Sequence, residues 1–123
     1  MARKTRKRLV LSEEALRLVA SRFQALSDPN RLKILNTLMQ GEHGVGELVA
    51  ATGLEQSNVS RHLAVLRREG LVERELSGNR AVYRISDPSI VRLCGIVCEG
   101  IVGQLSETLD AFPDAQAWKG AGI

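Results

Sequence analysis

The apolar positions near the start of the chain follow the spacing of an amphipathic helix. Leu16, Val19, Ala20 and Phe23 recur at intervals that place them on one helical face. Ser12 precedes two glutamates and carries the hydroxyl that an N-cap requires. The pattern therefore predicts a first helix that begins after Ser12 and runs to about residue 25.

A second apolar stripe, formed by Leu32, Leu35 and Leu38, follows the pair Asp28-Pro29. Proline is favoured at the first helical position, and a preceding aspartate can cap the free backbone N–H groups. These features predict a second helix that starts at this pair and ends before the glycine at position 41.

Two glycines divide the next part of the chain into shorter helices. Residues 45–52 form a predicted third helix that the glycine at 53 stops, and residues 56–69 form a predicted fourth helix that the glycine at 70 stops. In the fourth helix, the apolar side chains Val59, Leu63, Val65 and Leu66 are expected to face the core.

Residues 72–76 and 81–85 are predicted to be strands of a β-hairpin. The residues between them, Ser77-Gly78-Asn79, tolerate the positive φ that a tight turn needs. Asp87-Pro88 then opens a predicted fifth helix that continues to about residue 112. This helix has an apolar stripe suited to a dimer seam, formed by Ile90, Leu93, Cys94, Val97, Cys98, Ile101, Leu105 and Leu109.

The order of these elements defines the expected fold class. Four helices, a hairpin and a last helix give a mainly α fold with a β-hairpin wing (α+β), the plan of a winged helix-turn-helix. We expect residues 12–112 to form this domain, residues 1–11 a flexible basic arm and residues 113–123 a C-terminal tail.

The composition excludes several classes of protein. A chain of 123 residues with 44% apolar and 25% charged residues is suited to one globular domain. Only 3% of the residues are aromatic, which disfavours single-strand binding through base stacking. No apolar run approaches the roughly 20 residues that span a bilayer, and no signal peptide is evident. We therefore expect a cytoplasmic protein with reduced cysteines and no membrane partner.

Positive charge is concentrated at two places in the chain. The net charge is +5 over residues 1–11, −1 over 12–54, +2 over 55–86 and −3 over 87–123. The basic segments are the N-terminal arm and the part that includes the fourth helix and the hairpin. This asymmetry favours a polyanion bound at one end of the molecule.

The polar face of the fourth helix has the residue types of a recognition helix. Arginine can bond guanine O6 and N7, amide side chains can bond adenine, and short hydroxyls can reach phosphates. The hairpin tip can follow the adjacent minor groove, whose negative potential attracts arginine. The candidate contacts to double-stranded DNA are Gln56, Ser57, Asn58, Ser60, Arg61 and His62 in the helix, and Arg74, Asn79 and Arg80 in the wing.

Residues 15–98 resemble the ArsR family of bacterial winged-helix repressors. The resemblance rests on four strings in the family's order: LSDPNRLKIL (26–35), VGEL (45–48), NVSRHLAVLRREGLV (58–72) and GNRAVY (78–83). It implies a homodimer through the first and fifth helices that binds a roughly palindromic operator and represses transcription. It also implies that a ligand or a thiol modification releases the DNA. The chain departs from the family at Glu55, where many relatives have serine.

The sensor sites that the family uses can be checked position by position. One site needs Cys-Val-Cys before an acid and leucine, but this chain has Gly44-Val-Gly-Glu-Leu48. Another needs a set of aspartate, histidines and an acid in the fifth helix, of which only Asp87 is present. A persulfide sensor would need a cysteine where the second helix has Asn36. All three sites are therefore excluded in their usual form.

Cys94 and Cys98 remain as candidate sensor residues. At i, i+4 the two thiols share a helix face and could bind As(III), or contribute to a zinc or other thiophilic metal site. Alternatively, both pack as small apolar residues in the seam of a repressor that has no metal site. The sequence leaves both interpretations open.

Two other classes of function are alternatives to a DNA-binding repressor. A winged-helix module that binds protein would use the same polar helix as an interaction face. An enzyme is not expected, because we find no phosphate-binding loop, catalytic triad or functional pair of carboxylates.

Overall fold

The protein was analysed as a computed structural model that describes residues 10–105. Its elements, in chain order, are α1 (Glu13–Leu26), α2 (Pro29–Leu38), α3 (Val45–Thr52), α4 (Gln56–Arg68), β1 (Val72–Ser77), β2 (Arg80–Ile85) and α5 (Ser89–Gln104). This order confirms the winged helix-turn-helix. The predicted basic arm, except for its last two residues, and the predicted C-terminal tail lie outside the described residues.

Capping contacts confirm the predicted starts of α1 and α2. The Ser12 hydroxyl accepts a hydrogen bond from the backbone N–H of Ala15 at 3.1 Å. A carboxylate oxygen of Asp28 accepts bonds from the N–H groups of Asn30 at 2.8 Å and Arg31 at 3.2 Å. These side chains satisfy backbone donors that a helix leaves unpaired in its first turn.

The core lies where α2, α3 and α4 meet the base of the hairpin and the first turn of α5. Its most deeply buried side chains are Ile34, Leu35, Leu48, Val59, Leu63, Leu66, Leu71 and Ile90. The prediction that Leu32 is buried is wrong, since 39% of this residue is exposed. At about 100° per residue, the buried stripe of α2 is centred on Ile34, Leu35 and Leu38, and Leu32 falls at its edge.

The fifth helix differs from its prediction at both ends. Ile90 was assigned to the dimer seam, but it is only 2% exposed because the first turn of α5 packs onto the chain's own core. The helix ends at Gln104, and Leu105 has a non-helical φ of −123°. Gly100 and Gly103 weaken the last turns, since each glycine costs about 0.5–1 kcal/mol relative to alanine. Residues 106–112 of the predicted helix lie outside the described part.

The hairpin is an antiparallel pair in which Val72 faces Ile85 and Ser77 faces Arg80. Only Gly78 and Asn79 form the turn, so Arg80 belongs to β2 and not to the tip. Gly78 has a φ of +69°, the positive value that a type II′ turn requires at its first central position. A further bridge joins His43 to Tyr83 through two backbone hydrogen bonds of 2.8 and 3.1 Å. The loop before α3 is thereby attached to the wing.

No helix within residues 10–105 is long and apolar enough to span a bilayer.

Candidate nucleic-acid interface

The turn between α3 and α4 is built by a glycine and a threonine. Gly53 has a φ of +76°, and its N–H bonds the carbonyl of Val49 at 2.9 Å. The Thr52 hydroxyl donates to the carbonyl of Leu48 at 2.6 Å and lies 3.3 Å from the N–H of Leu54. Leu54 packs against the core. Three residues therefore connect α3 to α4, and these contacts fix the turn between the two helices.

Helix α4 has one buried face and one face open to solvent. Val59, Leu63 and Leu66 are 0–1% exposed, as predicted. Among the described residues, no hydrogen-bond or ion-pair partner is found for the side chains of the opposite face. This face includes five residues predicted to contact DNA. Four of them are exposed, namely Gln56, Ser57, Ser60 and Arg61, and Asn58 is half-buried.

The N-terminus of α4 is open to an anionic ligand. The helix begins at Gln56, as predicted, and the Glu55 side chain makes no capping hydrogen bond. Free backbone N–H groups at a helix start attract phosphate. The exposed Glu55 carboxylate works in the opposite direction, because it repels a phosphate placed nearby.

The prediction that His62 approaches DNA requires correction. His62 is only 4% exposed and lies on the inner face of α4, one residue before the buried Leu63. Its Nδ1 is 3.2 Å from a guanidinium nitrogen of Arg31, whose Nε also donates to the carbonyl of Ala25 at 2.6 Å. Because guanidinium only donates, Nδ1 must be the acceptor. His62 therefore links α4 to α2 and the end of α1 as a neutral imidazole.

Stability is expected to decrease as pH falls below 6.5, and His62 should cause part of the decrease. Burial lowers the pKa of His62, and Arg31 and Arg61 lower it further against the opposing effect of Asp28. Between the folded pKa and 6.5, the unfolded chain binds the proton more readily, so the free energy of unfolding drops as pH falls.

Thermal unfolding between pH 7.5 and 5 tests this expectation. His62→Gln should flatten the pH dependence of the melting temperature relative to the wild type. Equal slopes for the wild type and His62→Gln would contradict the expectation.

The wing presents fewer free cations than its sequence indicates. Arg74 and Asn79 are exposed, and within the described chain no side-chain partner is found for either. Arg84, in contrast, pairs with Glu73 at 2.7 Å and with Glu75. These contacts raise its pKa and neutralise its charge within the wing.

Arg80 is held by an acid of the neighbouring helix. Its guanidinium pairs with the Glu47 carboxylate of α3, which also accepts the backbone N–H of Gly44 at 2.8 Å. The Gly44 N–H and the charge of Arg80 both lower the pKa of Glu47. Arg80 thus connects the wing to the helix-turn-helix, and a DNA phosphate must compete with Glu47 for it.

Substitutions of Arg80 and of Glu47 are expected to change DNA affinity in opposite directions. Arg80→Ala should weaken binding and reduce the slope of log K against log salt by about 1 if Arg80 meets a phosphate. Glu47→Gln should strengthen binding, since glutamine can still accept from Gly44 but does not compete with phosphate. Salt titrations of both variants and of the double variant check this. A gain from Glu47→Gln that persists without Arg80 would contradict competition for this arginine.

Cys94 and Cys98 are free thiols on the half-buried part of α5. Burial raises the pKa of both, and the neighbouring Cys98 adds to the effect at Cys94. Within residues 10–105, no group of three or more His, Cys, Asp and Glu side chains is placed to hold a metal ion. A metal bound by these thiols would therefore need further ligands from elsewhere.

Comparison with known proteins decides the family. The model of the bacterial regulatory proteins of the arsR family matches residues 28–74, from the cap of α2 into β1. An HTH-type transcriptional regulator of Mycobacterium tuberculosis, Rv0081, is 36% identical over 107 residues, which cover 86% of this chain and 94% of that protein. The chain belongs to the ArsR family. Its fold and its relatives are those of DNA-binding transcriptional regulators and not of enzymes.

Solved structures of ArsR-like regulators agree with this assignment. The crystal structure of Mycobacterium tuberculosis Rv0081 has a TM-score of 0.72 at 37% identity and covers 80% of this chain and 99% of that chain. The repressor BigR from Xylella fastidiosa has a TM-score of 0.58 at 31% identity, with 81% and 91% covered. A homodimeric winged helix-turn-helix DNA-binding domain from Mycobacterium bovis has a TM-score of 0.66 at 34% identity, with 78% and 90% covered.

Sequence reasoning missed one acid and one arginine that organise this ArsR-family site. Glu47 and Arg31 were not predicted to act, although each supports a predicted DNA-contacting residue. Glu47 had a local signal, because an acid three residues after a helix N-cap can reach back to the cap N–H. Arg31 had none, since its partner His62 is 31 positions away.

Proposed function

We propose that the protein is a homodimeric repressor that places α4 in the major groove of a palindromic operator and the wing beside it. The open polar face of α4 supports this most directly. Gln56, Ser57, Asn58, Ser60 and Arg61 lie on a rigid helix and are free to bind base edges and phosphates. Arg74, Asn79 and Arg80 would then contact the flanking backbone or minor groove.

The surface of one chain supports a second copy as partner. On α1, Leu16, Leu18, Val19 and Phe23 are 41–68% exposed, and on α5 Ile96 and Val97 are about half exposed. Large apolar side chains grouped on two helices favour burial in an interface. Two-fold symmetry of such a dimer would match a palindromic operator. A homodimeric domain is also the state of the Mycobacterium bovis neighbour.

Repression would be relieved through α5, where Cys94 and Cys98 are the candidate sensor. Their thiols lie one turn apart, and two such pairs across a dimer axis could supply up to four sulfurs to As(III), zinc or another thiophilic ion. Such an ion would act as a soft Lewis acid, and its binding to the two sulfurs would release the thiol protons. The raised pKa of both thiols disfavours the thiolate that oxidation needs, and a bound metal would have to displace the same protons. The competing proposal is a repressor of the same family in which both cysteines only pack.

Fluorescence anisotropy with a duplex from the chain's own upstream promoter separates these proposals. We expect tight, salt-sensitive binding by the reduced protein, weakened about 5- to 150-fold by arsenite if coupling has the usual size. Cys94→Ser should abolish the arsenite effect and keep DNA affinity. Binding that ignores arsenite and zinc would leave a repressor with packing cysteines. Absence of salt-sensitive binding to this duplex and to duplexes selected from random sequence would contradict the proposed function.

A further inference from the structure

One arginine of α1 contacts the C-terminal end of α4 and the segment just before α5. A terminal guanidinium nitrogen of Arg22, on α1, donates to a carboxylate oxygen of Asp87 at 2.9 Å. The Nε atom of the same side chain lies 3.5 Å from a carboxylate oxygen of Glu69. The other Glu69 oxygen accepts the Ser21 hydroxyl at 2.5 Å. Two adjacent residues of α1 therefore hold two carboxylates that are distant in sequence.

Both carboxylates lie at helix ends. Glu69 is the C-cap residue of α4. Asp87 lies just before α5 and accepts both the backbone N–H and the hydroxyl of Ser89, at 3.0 and 2.6 Å. Ser86 adds a side-chain contact to the segment after α4, because its hydroxyl donates to the backbone carbonyl of Gly70 at 2.9 Å. The end of the recognition helix and the start of α5 are thus fixed to one another and to α1.

The contact is partly shielded from solvent. The side chains of Glu69 and Asp87 are 22% and 26% exposed, and that of Arg22 is 40% exposed. The Nε atom is buried without a hydrogen bond among the described residues, so its approach to Glu69 is an ion pair and not a hydrogen bond. Two acids share one cation here, and removal of Arg22 would leave like charges facing each other.

Arg22 lies beside the exposed apolar side chains of α1 and lines one surface depression with Leu18, Val19 and Phe23. Val19 and Phe23 flank Arg22 on α1 and are 41% and 52% exposed. The apolar side chains next to Arg22 are thus available to a second copy, while its guanidinium contacts the carboxylates of Glu69 and Asp87. A planar guanidinium that spans two carboxylates defines a direction between elements, which a single point charge does not.

We propose that Arg22 is a positioning residue that sets the orientation of each recognition helix relative to the dimer axis. Dimers of this class must present their recognition helices about one turn of DNA, roughly 34–36 Å, apart. Contacts between subunits reach α4 through α1, and Arg22 transmits them to Glu69 and Asp87. This inference rests on the proposed homodimer and its palindromic operator.

The ratio of affinities for a full palindrome and for a single half-site measures this role. A palindromic duplex is first selected by the wild-type protein from random sequences, and its half-site is embedded in unrelated sequence. Arg22→Gln should lower the ratio by about 2- to 30-fold, the size of effect that coupling residues usually produce, and leave half-site affinity near the wild-type value. Arg22→Lys should lower this affinity ratio by a smaller factor, since a lysine ammonium cannot span both acids.

Two further variants separate positioning from charge and folding. Arg17→Gln removes the same charge from an exposed position of α1 and should preserve the ratio. Glu69→Gln changes the net charge in the opposite direction, so long-range electrostatics would raise DNA affinity, yet the ratio should still fall. This variant also carries the test if Arg22→Gln does not fold.

The outcomes distinguish failure of this inference from failure of the proposed function. A wild-type protein that is monomeric by sedimentation, or that binds a palindrome no better than a half-site, would refute the homodimeric repressor and this inference with it. If Arg22→Gln and Glu69→Gln keep the wild-type preference for the palindrome over the half-site, the role of Arg22 is refuted and the homodimeric repressor is not. Dissociation of the Arg22→Gln dimer would also refute it, because Arg22 would then act in the dimer seam.

Discussion

Replacing Arg61 by alanine is expected to weaken operator binding by about 1–3 kcal/mol, or roughly 5- to 150-fold. Arg61 lies on the exposed face of α4, in its second turn, and no partner is found for its side chain within residues 10–105. An arginine can form a bidentate bond to guanine, and Arg61 is the one arginine in the first two turns of α4. The loss should be seen mainly on the operator and only weakly on random DNA.

Arg67→Ala is the matched control for this prediction. Arg67 is also exposed on α4 but lies in the last turn, away from the leading end of the helix. It should affect operator and random duplexes equally, as a phosphate contact or a solvated residue would. If Arg61→Ala weakens binding to both duplexes by the same factor, Arg61 is a phosphate contact and does not read sequence.

Val97→Glu is expected to separate the subunits and to abolish binding to the palindrome at concentrations that saturate the wild type. Val97 is 50% exposed on α5, on the apolar stripe predicted to form the seam. An unpaired charge buried in an interface costs about 3–5 kcal/mol, and a symmetric dimer would bury two of them. Each half of the operator would then be bound by a monomer with no gain from its partner.

Sedimentation and DNA titration with an Arg92→Gln control test this expectation. Arg92 is exposed on the same helix, and its replacement changes the net charge by the same amount as Val97→Glu. The control should remain dimeric. If Val97→Glu also remains dimeric, α5 does not form the seam through this residue, and the exposed side chains of α1 become the leading candidate.

Local signals explain why most helix boundaries were predictable. Glycines with positive φ, such as Gly53 and Gly70, and the capping residues Ser12 and Asp28 act within a few residues of the boundary they define. The turn of the hairpin was also located, but its length was overestimated. Ser77 belongs to β1 and not to the turn because it pairs with Arg80 of β2, and the sequence does not specify this pairing.

Long-range contacts explain what was not predictable. His62 has the residue type of a DNA contact, and only its contact with Arg31 shows that it serves the packing of α4 instead. Arg80 counts as a free cation in the sequence, but Glu47 is 33 positions away and pairs with it. Ile90 fits the apolar period of α5 equally well whether it faces a partner or its own core.

The backbone bridge between His43 and Tyr83 affects the entropy of DNA binding. An isolated two-stranded hairpin is at most marginally stable, and one that had to order on DNA would lose about 1–2 kcal/mol of conformational entropy for each residue fixed. Here the loop before α3 already pairs with β2 through the bridge. The wing of the free protein is therefore preorganised, and the entropy lost on binding is mainly that of side chains such as Arg74 and of the turn at Gly78 and Asn79.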